Sequence, residues 1–310
     1  VKNNIWKAQS GRTLVEVMVS LAIGILILGA VLLTISQTGV TGRKQDAHAR
    51  LAEEGQVALG IVVGQLRMAG YSVPRVNNPP GAPTTHYVGP PVRGCDTGFA
   101  SNGAADLSAL TCAASGGTAA VSVVYEADAS NTVPTSGGVP TDCLGQALQT
   151  PATSSLGGTY LLAENRFYIQ VNPQTGNPTL YCIGNGGATP FTAGQPLVDN
   201  VEDLELAYGI SATGTDSLGN VVYLGNAVRY LSAATLDTSM AANPNRWRLV
   251  TSVRVCLLMR TEDNAADAPV PYNDCSGTLV TPTDRRIRRA VISTVSLRNR
   301  STVGTSPTPV

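Results

Sequence analysis

The distribution of apolar positions divides the chain into three stretches. Residues 17–35 read VMVSLAIGILILGAVLLTI, a run with no charge. As a helix rising about 1.5 Å per residue, this run covers roughly 28 Å. That is close to the roughly 30 Å hydrocarbon core of a bilayer. From residue 43 the pattern changes. Leu51, Gly55, Ala58, Val62, Leu66 and Ala69 recur three or four positions apart, which is the period of one helical face. Arg43, Lys44, Asp46, Arg50, Glu53 and Glu54 fill much of the remaining first half. Gly70 and then Pro74 supply stop signals. The pattern predicts one helix of about 85 Å, with a membrane half over 13–36 and an amphipathic half over 43–70. Gly39 and Gly42 mark the junction, where a helix bends most easily.

After residue 71 the helical period is lost. Residues 72–117 are rich in Pro, Gly, Asn, Ser and Thr and read as a long loop region. A loop of that length is usually functional or crosslinked. Residues 119–125 (AAVSVVY), 221–231, 249–260 and 287–297 read as strands. Residues 160–171 and 178–183 form a hairpin pattern around the turn residues Asn172 to Asn177. Residues 196–209 are expected to begin helical and finish as a strand. The fold class is therefore α+β: a long N-terminal helix, transmembrane then amphipathic, packed on an antiparallel β-rich globular domain over 71–310. Asp216-Ser217-Leu218-Gly219-Asn220 lacks the alternating acids and terminal Glu of an EF-hand, so a β-turn is expected there.

Composition narrows the function. The chain is 43% apolar and 14% charged, against roughly 25% charged in an ordinary soluble domain. This argues against a disordered chain. Twenty-one basic and 21 acidic side chains cancel, which argues against a general nucleic-acid binder. A single long apolar run excludes a multi-span membrane protein. The two histidines, His48 and His86, lie on the helix and in the Pro-rich loop. No nucleophile elbow, phosphate loop, zinc-protease or dinucleotide-binding pattern occurs. No enzyme and no cofactor are expected.

Six cysteines, Cys95, Cys112, Cys143, Cys182, Cys256 and Cys275, all follow the apolar run. None is close enough to another for a zinc-type C-x₂₋₄-C pair, so no metal is expected. An even count on a translocated side favours disulfides. Fifteen connectivities are open; nearest-neighbour order would join Cys95 to Cys112, Cys143 to Cys182 and Cys256 to Cys275.

Glu16 is an acid at the mouth of the apolar run. By position alone it is equally an edge residue at the headgroups or a buried partner for a cation. A cleaved signal peptide and a plain signal anchor both compete as readings of the segment. The first has too long an apolar run and no clear A-x-A site; the second needs only basic flanks. Ser20 and Gly24 form a small-xxx-small step, and Gly29 adds another small position. Such residues allow close helix packing but are also ordinary transmembrane composition.

Gly11-Arg12-Thr13-Leu14-Val15-Glu16-Val17-Met18, behind a short leader with Lys2 and Lys7, resembles the type IV prepilin cleavage motif. Arg12 stands where that family usually has Phe or Met. The resemblance implies a cut between Gly11 and Arg12 by a prepilin peptidase, followed by methylation of the new amine. It implies a leader over 1–11 and a helix over 12–70. Glu16 would then pair with the N-terminal cation of a neighbouring subunit, since an unpaired carboxylate in a helix bundle is costly. Such a pair fixes assembly register.

Leu66-Arg67-Met68-Ala69-Gly70-Tyr71, Tyr181-Cys182, the run from Pro196 to Asp203, Val253-Arg254-Val255 and the run from Asp284 to Arg289 are similar to the PilW branch of minor pilins. This implies a minor pilin that primes type IV pilus assembly and sits at or near the tip. It would work with other minor pilins, the major pilin and a tip adhesin. It would occupy the bacterial inner membrane before assembly and the extracellular pilus after it. Two alternatives remain: the J-type pseudopilin of type II secretion, and a membrane-anchored adhesin or binding domain that never enters a fibre. Arg285, Arg286, Arg288 and Arg289 are a candidate subunit contact. A strand paired to local acids such as Glu202, Asp203 and Glu205 is the simpler reading of them; a phosphate-binding strip lacks aromatic support.

Overall fold

The computed structural model describes residues 13–74, 85–154, 157–215 and 221–299. These fall into two units, divided between Ala49 and Arg50. Helix α1 runs Leu14–Met68. In the first unit its stretch Leu14–Thr34 is long and apolar enough to cross a membrane, and none of it is buried.

In the second unit the predicted stripe is the buried face. Leu51, Gly55, Ala58, Val62, Leu66 and Ala69 are all buried. A Cβ on Gly55 would lie 3.1 Å from both Met259 and Val291, so glycine lets the helix settle closely on that sheet. Further along, Gln65 accepts a hydrogen bond from Asn165 Nδ2 at 2.8 Å. The helix ends at Met68, and just beyond it Gly70 takes a φ of +72° that suits glycine.

Two antiparallel sheets follow. The strands of the first are β1 (Val92–Cys95), β2 (Ala120–Ala127), β3 (Pro151–Thr153), β4 (Thr159–Val171), β5 (Pro178–Gly184) and β6 (Gln195–Asp199), ordered β1-β2-β4-β5-β6 with β3 on β4. The second sheet holds β7 (Val201–Thr215), β8 (Val221–Leu231), β9 (Val250–Arg260) and, beyond the small β10 (Tyr272–Asn273) and β11 (Leu279–Val280) ladder, β12 (Arg288–Ser296). Its order is β12-β9-β7-β8. Helix α2 (Ala233–Ser239) lies between β8 and β9 in the chain. The described residues are thus α+β, as the sequence pattern predicts.

The hairpin β4–β5 pairs Phe167 with Cys182 and Tyr168 with Tyr181. Its turn closes through Asn172 N–H to the Asn177 carbonyl at 2.8 Å, with Gly176 at a φ of +71°. Every residue of β2 is buried, which fits its β-branched run.

Two local expectations need correction, and one element was not anticipated. The region 72–117 is not loop throughout: β1 pairs with β2, Val92 opposite Val123 and Cys95 opposite Ala120. Four residues reading VRGC carry no alternation strong enough to announce a strand. Gly94 is required there because a Cβ would overlap the Tyr208 hydroxyl. The helical start expected over 196–209 is instead strand β6, then Asn200 at a φ of +64°, then β7. Pro196 is tolerated because β6 is an edge strand, and Asn is among the few non-glycine residues that accept that φ. One residue thereby hands the chain from one sheet to the other. Helix α2 carried no signal strong enough to predict it. Asp96 and Ser232 make its start, accepting the Ala233 and Ala234 amides and the Thr235 amide respectively. The turn expected at Asp216 to Asn220 lies outside the described residues.

Candidate assembly site

Glu16 sits in the first turn of α1, where an acid is favoured by the helix dipole. Its amide bonds to the Thr13 carbonyl at 3.0 Å and Thr13 Oγ1 at 3.3 Å, so Thr13 caps the helix. Ser20 Oγ donates to the Glu16 carbonyl at 2.7 Å. Ser20 therefore satisfies its hydroxyl within its own helix and presents only a small surface outward. A Cβ on Gly24 or Gly29 would meet nothing within 4 Å. Glu16 is the only acid between Leu14 and Thr34, and the large apolar side chains around it are exposed, Leu14 at 75% and Leu26 at 73%. Gly11 and Arg12 lie outside the described residues.

All six cysteines are paired: Cys95–Cys112, Cys143–Cys182 and Cys256–Cys275. The first closes the loop behind β1. The second ties the Asp142 turn to β5. The third clips the 261–287 insertion onto β9, where Cys256, Leu258 and Cys275 form a small cluster with Tyr272 and Ala290.

The arginines near the C-terminus part company. Arg288 is buried to 7% side-chain exposure. Its guanidinium bonds Glu202 through Nε and Nη2, and Asp284 through Nη1 and Nη2, with Tyr272 at 5.4 Å beneath it. These charge-assisted bonds hold the arginine charged, and they hold the Asp284 carboxyl down at about 2. Arg286 donates from Nε to the Glu262 carbonyl at 2.9 Å. Arg285 and Arg289 are exposed. Of the acids named from sequence, Glu202 is a partner of Arg288. Burial raises the Asp203 and Glu205 carboxyls, and the other ligand of Arg288 is Asp284. No sequence signal singled out Asp284 beyond its four-residue spacing from Arg288.

Two polar hubs also escaped the sequence reading. Arg166 is wholly buried on β4. It bonds Glu164 at 2.8 Å and the Asn102 and Ala104 carbonyls at 2.7 Å each, and its guanidinium carbon lies 3.5 Å from the Phe191 ring centroid. It pins the Cys95–Cys112 loop to the first sheet. Glu126, 5% exposed, gathers the Ser72 hydroxyl, the Val73 amide at 2.9 Å and His86 Nδ1 at 2.8 Å. His86 also stacks on Tyr160, whereas His48 is exposed on α1. Among the described residues, no group of three or more His, Cys, Asp or Glu is placed to hold a metal ion.

A groove of about 540 Å³ runs beside the second half of α1, lined by Arg50, Glu53, Glu54 and Val57 of the helix and Leu197, Val198 and Asp199 of β6. Burial first, with the nearby acids Glu262, Asp199 and Glu53 adding to it, raises the Glu54 carboxyl against the pull of Arg50.

The prokaryotic N-terminal methylation motif matches residues 6–32 and the type IV pilus-assembly protein W family matches residues 166–299. Among solved structures the chain is similar to a type IV-like pilin from Thermus thermophilus, at 12% identity and a TM-score of 0.39, over 81% of this chain and 97% of that one. No curated protein matches it. The methylation motif thus overlaps the exposed apolar start of α1, and the region similar to the type IV pilus-assembly protein W family runs from within β4 to just past β12.

Proposed function

We propose that this pilin is a minor subunit that primes type IV pilus assembly and stays at or near the tip. The observation that carries the reading is Glu16, the lone acid of an exposed apolar helix, five positions beyond Gly11. A prepilin peptidase removes residues 1–11, and the new amine at Arg12 is methylated. Before assembly the helix holds the protein in the inner membrane with its disulfide-bonded domain in the oxidising periplasm. During assembly, Glu16 pairs with the N-terminal cation of a neighbouring pilin. The pair neutralises two charges that would be costly apart, so it selects one axial register among many that apolar packing alone permits. Ser20, Gly24 and Gly29 let the helices approach. The large domain suits a subunit that caps a fibre and meets minor pilins, the major pilin and an adhesin.

N-terminal sequencing of the chain co-expressed with a prepilin peptidase tests the first step. A mature end at Arg12 supports the reading, and an end left at Val1 refutes it. Deletion of the gene in its host tests priming: pilus number should fall sharply, whereas full-length pili in normal number would refute that role.

A further inference from the structure

The groove between α1 and the edge strand β6 holds more negative charge than its own lining balances. It encloses about 540 Å³, within the range of about 300–1,000 Å³ usual for ligand sites. Its apolar lining is Val57, Leu197 and Val198, and Val57 keeps 52% of its surface exposed. Its ionisable lining sets Glu53, Glu54 and Asp199 against Arg50. Asp199 accepts from neutral donors, the Thr179 hydroxyl and the Asn172 side-chain amide. Burial raises the Glu54 carboxyl and the acid Glu262 adds to the rise, so Arg50 does not offset its surroundings.

Main-chain pairing is not what this edge offers. Pro196 lacks an amide donor, and the register of β6 shifts at Leu197, between the pairs Leu180–Val198 and Tyr181–Pro196. Both features blunt an edge strand. The groove offers side-chain chemistry instead, an apolar wall beside clustered carboxylates. A long cationic side chain suits both, because its methylene stem lies along apolar surface while its head meets the acids. A phosphate headgroup is repelled. We propose, on the pilin reading above in which subunits pack along α1, that this groove docks one lysine or arginine of a neighbouring pilin. Its stem lies on Val57, Leu197 and Val198, and its charge meets Glu53, Glu54 and Asp199. Charge complementarity selects this occupant, and it excludes a subunit that would bring an acid to the same place.

The test uses the full chain in its host, with the photocrosslinker p-benzoylphenylalanine encoded at Gly60. Gly60 is exposed one turn past Val57, and a Cβ there meets nothing within 4 Å. Irradiation should join the chain to another pilin, and mass spectrometry should map the adduct to a segment holding a lysine or arginine. An adduct to lipid, to a segment with no basic residue, or none at all overturns the proposal. In the same background, Glu53→Lys with Glu54→Lys should lower the adduct at least tenfold, and changing the mapped cation to Glu should restore it. An adduct unchanged by the reversal overturns the proposal as well. Protease resistance checks folding of each variant. Glu53→Gln with Glu54→Gln, which keeps shape and removes charge, should lower the adduct at least threefold and serves if the reversal does not fold. N-terminal sequencing of the same membranes separates the two readings. A chain left at Val1 overturns the pilin reading and this proposal with it, whereas a processed chain without the adduct overturns this proposal alone.

Discussion

A guanidinium with no exposed surface depends on its neighbours for every bond it makes, and Arg166 takes them from two distant parts of the chain. Glu164 on its own strand supplies the counter-charge, while Asn102 and Ala104 supply carbonyls from the crosslinked loop. Arg166→Ala leaves the Glu164 carboxylate buried without its cation. Removing one partner of a buried pair costs about 3–5 kcal/mol. Urea unfolding of the purified chain should show that loss, and a change under about 1 kcal/mol would mean that water replaces the guanidinium. Asp284 makes a prediction against pH. Its carboxyl is held at about 2 by hydrogen bonds from Arg288 and the Arg286 amide, below the ordinary 3.8. A carboxyl depressed in the folded state stabilises above its ordinary value, and that contribution is lost as pH falls from about 4 to about 2. Unfolding midpoints of wild type should drop across this window, and Asp284→Asn should drop less. Parallel curves would remove Asp284 from the account.

Elements differ in how far local sequence determines them. Helix α1 was legible because its stripe from Leu51 to Ala69 holds one period, and the β4–β5 hairpin because its turn chemistry separates two β-branched runs. Strand β6 was not. Leu197, Val198, Val201 and Leu204 fall at near-helical spacing, and only pairing with β5 and the backbone turn at Asn200 make the segment extended. Strand β1 was hidden for another reason: its four residues derive their burial from β2 and Tyr208, neither of which is local. The same holds at the site. Glu16 stood out because it is an acid at the mouth of an uncharged apolar run, whereas Asp284 gained its role from a fold that brings Glu202 to the same arginine. Crosslinks allow a test among elements. The Cys143–Cys182 bridge closes 39 residues, against 17 and 19 for the others. By loop entropy its removal as a double Ser variant should cost about 0.7 kcal/mol more than removal of either shorter bridge, within a total of about 2–4 kcal/mol. Equal losses by thermal unfolding would point to strain or residual structure instead.

For the molecule as a whole, Glu16→Ala separates folding from assembly. Glu16 belongs to the first unit and the disulfide-bonded domain to the second, so circular dichroism and unfolding of the domain should match wild type. Pilus number should fall at least tenfold if the carboxylate sets register; normal piliation would rule that role out. The domain should also be accumulated only where cysteines oxidise. In a host lacking periplasmic disulfide formation, the folded chain is expected to be scarce, as measured by protease resistance.

The three bridges have a mechanical consequence. A filament subunit under axial tension yields by releasing chain, and released chain lengthens the filament. At about 3.4 Å per extended residue, the 39-residue Cys143–Cys182 loop withholds roughly 130 Å of contour that no pulling force can extract while the bond lasts. The Cys95–Cys112 and Cys256–Cys275 loops, spanning 17 and 19 residues, together withhold roughly another 120 Å. Pulled in a force spectrometer, the oxidised chain should rupture in short steps, and the reduced chain should stretch further by the length of those loops.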